Sequence, residues 1–326
     1  MNGIDVYGGV DIGGSKTAVG IVDCDGKILQ KKSFQTHPGR SADELVLQLA
    51  EVINDLCNHL DSTFSLAGIG IAAPAANCFR GTIESPANLD WGEFDVVTAM
   101  RRHFDLPIAV INDGNAAALG EMRFGAAREM KNFIVITLGT GLGSGIVING
   151  GLLCGEEGLA GELGHIKIAS ADRQCGCGRV GCAETYVSAT GVCRTALQLL
   201  AQRSDDSMLR HLKPIELTGE LIHEYAIRDD PIAIAAFEMT GLVFGRMLAD
   251  TVAIFGPKAI ILMGGLAEAG ELLLTPTRES FEQNLLSIYK GKINILTSAL
   301  RRGHAAILGA SALIAEQIKA QNDLVN

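Results

Sequence analysis

The chain has few aromatic residues and little positive charge. Of its 326 residues 5% are aromatic, and its 27 lysines and arginines are outnumbered by 37 aspartates and glutamates, giving a net charge of −10. Lysine and arginine never form a run longer than a pair, whereas a protein that binds nucleic acid through its phosphates normally has a basic stripe. We therefore expect no nucleic acid as its main partner.

The patterns of a signal peptide and of a membrane span are also missing. The N-terminal segment has no continuous apolar stretch, and Asp5 and Asp11 precede its first basic residue, Lys16, whereas a signal peptide begins with positive charge. The charge-free stretch 133–154 is long enough to cross a bilayer, but its six glycines indicate two short buried strands around a turn. With 48% hydrophobic residues for a core, we expect a soluble, cytoplasmic protein without a membrane partner.

Strand and helix patterns alternate along the chain. A meander of three strands is predicted over 5–35, and further strands at 66–73, 107–112, 133–138, 144–149 and 258–263. Helices are predicted after a capping box at Ser41 and Glu44, over the alanine-rich 116–122, and near 93–105, 183–202, 230–255 and 303–319. This alternation predicts an α/β fold whose second half repeats the elements of the first.

Two glycine-rich loops each join two predicted strands. Glycines allow backbone N–H groups to converge on an anion, and hydroxyls and a lysine add donors. The candidate residues are Gly13, Gly14, Ser15, Lys16 and Thr17, and Gly139, Thr140 and Gly141. Neither loop has the Walker A or dinucleotide order, and a tight hairpin with purely geometric glycines explains either one alone. As a pair, one in each half, they indicate a clamp for a polyphosphate.

Asp113 lies between a predicted buried strand and a predicted helix. A carboxylate at such a junction caps the helix in many proteins. The alternative is a general base that accepts the proton of a substrate hydroxyl during phosphoryl transfer. The spacing leaves both roles open.

A cluster of cysteines with one histidine indicates a metal site. His165, Cys175, Cys177 and Cys182 form a Cys₃His set that suits a closed, tetrahedral Zn²⁺ site, while free thiols beside an unrelated histidine are the alternative. Glu162 and Glu184 flank this set. Held by a metal, they could accept hydrogen bonds from a polyhydroxylated ligand; solvated surface glutamates are the simpler interpretation of each alone.

Six motifs follow one another along nearly the whole chain: DIGGSKT (11–17), ESPANL (84–89), INDGNAA (111–117), LGTGLGSG (138–145), GLAGELGH (158–165) and CGCGRVGCAE (175–184). Together they resemble the ROK family of sugar kinases, which belongs to the ATPase superfamily of hexokinase, actin and the 70-kDa heat-shock protein. The resemblance implies a two-lobed α/β protein of the actin-like ATPase (ribonuclease H-like) fold. Its expected lobes are 1–112 with the C-terminal helix at about 303–326, and 113–302 with a zinc-bound sugar loop; its active site is expected in the cleft between them.

The resemblance also implies roles for individual residues. Both glycine loops would hold the phosphates of ATP, Asp11 would lie near Mg²⁺, and Gly264 and Gly265 would contact the adenosine. Asp113 would deprotonate the 6-hydroxyl of the sugar. The expected hexose ligands are Asn88, Asn112, Glu162, His165 and Glu184, and the expected ligands of a structural Zn²⁺ are His165, Cys175, Cys177 and Cys182.

The implied function is ATP- and Mg²⁺-dependent 6-phosphorylation of a hexose, with glucose as the expected substrate, in a homo-oligomer. Other substrates within the family are N-acetylmannosamine, fructose and allose. Two further alternatives are a sugar-responsive repressor, which would need a helix-turn-helix domain before Asp11, and a catalytically silent sugar-binding protein. One segment departs from the family, which commonly has a Pro-Gly there: residues 72–77, AAPAAN, have alanines where a glycine is usual, which bears on sugar specificity.

Overall fold

The structure is a computed structural model that describes residues 3–37, 39–86, 89, 91–168 and 172–325. Its strands are β1 (Ile4–Ile12), β2 (Lys16–Val22), β3 (Ile28–Gln35), β4 (Phe64–Ala73), β5 (Ala76–Asn77), β6 (Thr82–Glu84), β7 (Glu93–Asp95), β8 (Ile108–Asn112), β9 (Phe133–Leu138), β10 (Leu142–Ile148), β11 (Gly151–Leu152), β12 (Ala259–Met263) and β13 (Asn294–Thr297).

The helices alternate with these strands, as the sequence pattern predicts. They are α1 (Ala42–Asn58), α2 (Val96–Arg101), α3 (Asp113–Phe124), α4 (Ala189–Gln202), α5 (Gly219–Ile227), α6 (Pro231–Phe255), α7 (Glu271–Asn284) and α8 (Ala305–Val325). Short 3₁₀ turns precede or connect several of them.

Two five-stranded sheets share one strand order. The first is β3-β2-β1-β4-β8, with an antiparallel meander over β1 to β3 and parallel pairing of β1, β4 and β8. The second is β11-β10-β9-β12-β13, with the same pattern of antiparallel and parallel pairs. The predicted repetition of elements between the two halves is therefore confirmed, and the mixed α/β architecture with it.

Helix packing joins the first sheet to the chain end. Helix α8 packs on β1, β4 and α3, and glycine is what allows the close approach. A Cβ at Gly309 would lie 1.6 Å from the carbonyl oxygen of Ala116, and one at Gly70 would lie 1.8 Å from that of Ala310. Any side chain at either position would push α8 away, since non-bonded heavy atoms cannot approach so closely.

Each sheet has its own core. On the first sheet, α1 buries Leu49 and Ile53 against the strands, and the predicted capping box is present: Ser41 Oγ accepts the Glu44 N–H at 3.3 Å. On the second sheet, a larger cluster includes the fully buried rings of Phe237, Phe244 and Phe281 from α6 and α7. Such burial contributes roughly 1.5–3 kcal/mol per large apolar side chain.

Helix α6 is the one helix among the described residues that is long and apolar enough to cross a membrane. In its most apolar window, 67% of the residues are buried inside the protein, as expected for a core helix. The charge-free stretch 133–154 forms strands β9, β10 and β11, so its interpretation as short strands around a glycine turn is correct.

Several predicted boundaries are wrong. The segment 93–105 begins as strand β7 in a small sheet with β5 and β6, and only Val96–Arg101 is helical, capped by Asp95. The helix predicted from 183 starts at Ala189, because Ser188 caps it after a short 3₁₀ turn. Helices α5 and α7 were not expected: α5 has only nine residues, and α7 contains Pro276, a residue typical of helix ends.

Candidate active site

The first glycine loop lies at the tip of the β1–β2 hairpin. The Gly13 N–H donates to the carbonyl oxygen of Lys16 at 3.1 Å, which closes the turn, and the side chains of Ser15 and Lys16 are exposed at the tip. Thr17 differs from the expectation for a phosphate-contacting residue. It is 0% exposed and its hydroxyl lies 2.7 Å from that of Thr36, so it fixes the hairpin from inside rather than facing a ligand.

The second glycine loop lies at the tip of the β9–β10 hairpin and rests on the start of α4. The Gly139 N–H donates to the carbonyl oxygen of Gly141 at 3.0 Å, while Gly139's own carbonyl accepts the N–H of Ala189 at 2.9 Å. The hydroxyl of Thr190 donates to the Thr140 carbonyl at 2.9 Å. The N-terminus of α4 therefore holds this loop in place.

Asn112, not Asp113, is the N-cap of helix α3. Its Oδ1 accepts the N–H groups of Gly114 at 2.9 Å and Asn115 at 3.3 Å. Asp113 follows in the first helical turn, half-buried, with its Oδ1 2.8 Å from the Gly114 nitrogen. The interpretation of Asp113 as the cap is therefore wrong, because the preceding side chain already fills that position.

Asp11 and Asp113 line one cavity of about 410 Å³, which we call the smaller cavity. Its other walls include Thr137 and Gly264 from the second sheet, so it lies between the two sheets. Burial raises the pKa of Asp113. Burial and then the charge of Asp113 raise the pKa of Asp11 to about 7, against the opposing charge of Lys31.

These two carboxylates fit a divalent cation. Each pKa is raised because burial removes the carboxylate from water and no positive charge fully offsets its negative charge. Mg²⁺ prefers hard oxygen ligands and is commonly held by one or two carboxylates together with substrate phosphates. The pair therefore has the donor chemistry expected of the magnesium position predicted at Asp11.

The four predicted zinc ligands lie together. One donor atom from each of His165, Cys175, Cys177 and Cys182 lies within 4.8 Å of all the others. His165 Nδ1 is 3.7 Å from Cys175 Sγ, and Cys177 Sγ is 3.6 Å from Cys182 Sγ. Tetrahedral zinc with Zn–S of about 2.3 Å separates neighbouring donors by roughly 3.5–3.8 Å. The cluster therefore fits Zn²⁺.

Two of the predicted sugar-binding carboxylates flank the imidazole of His165. Its Nε2 lies 3.9 Å from Glu162 Oε2, and its Nδ1 lies 3.9 Å from Glu184 Oε1. Because Nδ1 faces the cysteines, Nε2 remains directed away from the metal cluster. Burial raises the pKa of Glu162, His165 lowers it, and the charges of Asp113 and Glu184 raise it further.

This segment therefore lies close to Asp113, and Glu184 Oε2 also accepts the N–H of Leu142, next to the second glycine loop, at 3.4 Å. Of the five predicted hexose ligands, Glu162 and Glu184 lie beside His165, the charge of Asp113 acts on Glu162, and Asn112 directly precedes Asp113. Asn88 lies outside the described residues.

The unusual alanine segment contains a backbone conformation that favours glycine. Ala75, in the turn between β4 and β5, has φ = 52°. For an L-residue with a Cβ this left-handed region costs roughly 1–2 kcal/mol. The alanine that stands where the family usually has glycine thus coincides with local strain just before β5.

A second cavity, of about 810 Å³, lies beyond the second glycine loop; we call it the larger cavity. Gly139, Thr140 and Gly265 line it on one side, and α5 contributes Glu220 and His223 on another. Sequence reasoning missed the residues of α5, because no motif marks them and only the packing of α5 brings them to the loop.

Only glycine fits at position 264. Gly264 has φ = 98°, and a Cβ there would lie 2.4 Å from the Leu138 carbonyl oxygen.

The paired sheets, with an acidic cavity between them and a glycine hairpin from each, define a two-lobed protein of the actin-like ATPase fold. The chain belongs to the ROK family, whose model matches residues 7–317. It is 32% identical over 315 residues to a glucokinase of Halalkalibacterium halodurans, covering 95% of each chain. It is 28% identical over 308 residues to a xylose repressor of Caldicellulosiruptor bescii, covering 94% of this chain and 77% of the repressor.

Among solved structures, a ROK family glucokinase of Streptomyces griseus in complex with glucose and AMPPNP superimposes with a TM-score of 0.83. It is 34% identical, and the match covers 95% of this chain and 99% of that one. The predicted family and fold class are therefore confirmed.

Proposed function

We propose that the protein transfers the γ-phosphoryl group of ATP to the 6-hydroxyl of a hexose, and that glucose is its substrate. The glucokinases among its relatives support sugar kinase activity, and the similar S. griseus protein binds glucose and an ATP analogue. The observation that carries the proposal is Asp113: a half-buried carboxylate on a cavity between the two sheets, spared from helix capping by Asn112.

In this proposal Asp113 accepts the proton of the 6-hydroxyl as that oxygen attacks phosphorus. Burial raises its pKa, which makes its carboxylate a stronger base than an exposed aspartate. Hydroxyls of the sugar bind Asn112, Glu162, His165 and Glu184, with Asn88 as a further predicted ligand. The carboxylates accept hydrogen bonds, and the imidazole Nε2 and the Asn112 amide donate or accept as the hydroxyls require.

The two glycine loops bind the phosphates through backbone N–H groups, with Ser15 and Lys16 adding donors from the first loop. Mg²⁺, when bound near Asp11, would neutralise charge that develops on the phosphates. His165 and the three cysteines would hold Zn²⁺ away from the reacting atoms, and that coordination would fix the segment that carries Glu162 and Glu184.

The remaining assignments belong to the same proposal. The lobes are residues 1–112 with the C-terminal helix from about 303, and residues 113–302, and they close around the sugar. The active form is a cytoplasmic homo-oligomer that acts in carbohydrate metabolism. Gly264 and Gly265, which line the two cavities, contact the adenosine.

A sugar-responsive regulator is the second candidate, because the relatives include a xylose repressor with 28% identity over 94% of this chain. Such a protein would bind sugar without consuming ATP. The two candidates differ in one readout, the production of ADP.

The test is ADP release from ATP and Mg²⁺ by protein of known zinc content, with glucose, mannose, fructose, allose, N-acetylglucosamine and N-acetylmannosamine in parallel. We expect turnover with glucose above all others. Preference for another sugar would keep the reaction and change the substrate. Sugar binding by calorimetry without ADP release from any sugar would overturn the kinase and favour the regulator.

A further inference from the structure

One ion pair lies on the border between the two cavities. The lining residues that the smaller and larger cavities have in common are Glu268 and Arg302. These two side chains pair with each other, Arg302 Nη1 lying 2.9 Å from Glu268 Oε2. The side chains that separate the cavities are thus joined by their opposite charges.

The pair connects elements that lie far apart in the sequence. Glu268 is in the 3₁₀ turn Gly265–Ala269 that follows β12, and Arg302 is in the loop between β13 and α8. The guanidinium lies over Gly265, where a Cβ would be 2.8 Å from Arg302 Nη2. Gly265 therefore leaves room for the arginine at the border.

The ion pair is exposed enough to open. The side chains of Arg302 and Glu268 are 61% and 54% exposed, and solvent-exposed ion pairs contribute little to stability. An incoming ligand of higher negative charge can therefore replace the glutamate as the partner of the arginine. Arginine suits this exchange, because its planar fork of donors binds phosphate as well as carboxylate.

We propose that Arg302 positions the nucleotide by exchanging its Glu268 partner for the phosphates of ATP. The inference rests on the proposed function. A nucleoside in the larger cavity, between Gly265 and the α5 residues Glu220 and His223, has to extend its phosphates toward Asp113 in the smaller cavity. That path crosses the border, where Arg302 attracts the phosphates and Glu268 repels them.

The test measures the affinity of the sugar-free protein for ATP and for adenosine by calorimetry at low salt. We expect Arg302→Gln to raise the Kd for ATP about tenfold and Glu268→Gln to lower it about threefold. Adenosine affinity should stay within about twofold, since the exchange involves phosphates. Arg302→Lys should restore part of the ATP affinity, because the charge remains and the fork is lost.

A second exposed ion pair provides the matched control. Arg278 and Glu271, both on α7, pair at 3.0 Å with side chains 45% and 69% exposed, away from both cavities. Arg278→Gln and Glu271→Gln should leave ATP and adenosine affinities unchanged. In turnover, Arg302→Gln should raise the KM for ATP and leave the KM for the sugar within about twofold.

Three outcomes overturn the inference. If Arg302→Gln matches Arg278→Gln in ATP affinity, the arginine does not contact the nucleotide. If ATP and adenosine affinities fall equally, its role is structural. If the wild-type protein binds no ATP and phosphorylates no sugar, the proposed function fails together with the inference, whereas the first two outcomes leave that function intact.

Discussion

The two five-stranded sheets have the same strand order, yet they contribute different parts of the candidate site. From the first sheet come two carboxylates, Asp11 at the end of β1 and Asp113 just after β8. Each sheet contributes a glycine hairpin, and the second adds the segment after β11 that contains the predicted zinc cluster. The shared strand order therefore positions the candidate site, and the residues that differ between the two sheets supply its chemically active groups.

The insertions of the two halves also meet. The small sheet β5-β6-β7 follows β4 in the first half, and Asn77 in β5 donates to the carbonyl oxygen of Glu157 in the second at 2.9 Å. Arg80 and Glu157 add an ion pair at 3.0 Å. The comparison predicts that loss of a carboxylate at the edge of the first sheet lowers the rate of the chemical step and that loss of the zinc cluster weakens sugar binding.

The largest expected effect is that of Asp113→Asn. Loss of the general base should lower kcat by about 10²–10⁴-fold with sugar affinity nearly unchanged. Stability should not fall, because burial already disfavours the charged form of this side chain. A coupled ADP assay measures kcat, and a thermal melt measures stability. As the pH is lowered, the kcat of the wild-type protein should begin to fall at a pH above the ordinary pKa range of aspartate.

Asp95→Asn is the matched control for that substitution, since Asp95 caps α2 and asparagine caps equally well. A kcat for Asp113→Asn within tenfold of wild type would show that the first sheet does not supply the base.

Loss of the metal should have the next largest effect. Cys182→Ser or chelation should release zinc and weaken glucose binding by about tenfold or more, because Glu162 and Glu184 lose their fixed positions. Nucleotide affinity should change less than about twofold. Metal analysis and calorimetry with glucose and AMPPNP measure this, and Cys57→Ser, half-buried in α1 outside the cluster and both cavities, is the control. Equal losses of affinity for sugar and for nucleotide would contradict the prediction that the zinc cluster supports sugar binding in particular.

Asp11→Asn should stabilise the nucleotide-free protein in a pH-dependent way. The pKa of Asp11 is about 7 in the folded protein against an ordinary value of 3.8, so the folded state binds more protons between those values and loses stability as the pH rises through them. The substitution should have little effect at pH 4 and should add at most about 4 kcal/mol to the free energy of unfolding at pH 8. Urea titrations across that range measure it.

The exposed Asp25, in the turn between β2 and β3, provides the comparison variant, Asp25→Asn. A gain for Asp11→Asn that does not depend on pH would mean that the two first-sheet carboxylates do not share an uncompensated charge.

The smallest expected effect concerns the insertion of the first half. Ala75→Gly should raise the free energy of unfolding by about 0.5–1 kcal/mol, because relief of the left-handed strain exceeds the added flexibility of the unfolded chain. Ala76→Gly, at a buried strand position, should destabilise instead. If Ala75→Gly destabilises by as much as Ala76→Gly, the turn at Ala75 is not strained.

Much of the candidate site could be predicted because its residues form local motifs. Cys175, Cys177 and Cys182 lie within one short turn-rich segment, and each glycine loop closes on itself through hydrogen bonds between near neighbours. Local contacts of this kind are encoded in adjacent residues. The residues of α5 carry no such local signal, and neither does the pair Glu268–Arg302, whose members are joined only by folding.

The sequence by itself determined the alternation of strands and helices, the two glycine turns, the Cys₃His set and the helix that begins after Ser41. Tertiary structure decided which of two neighbouring side chains caps α3, that the hydroxyl of Thr17 faces Thr36, and that one ion pair separates two cavities. The physical reason is that hydrogen-bond competition and burial depend on partners from distant segments, which only the packed chain brings within reach.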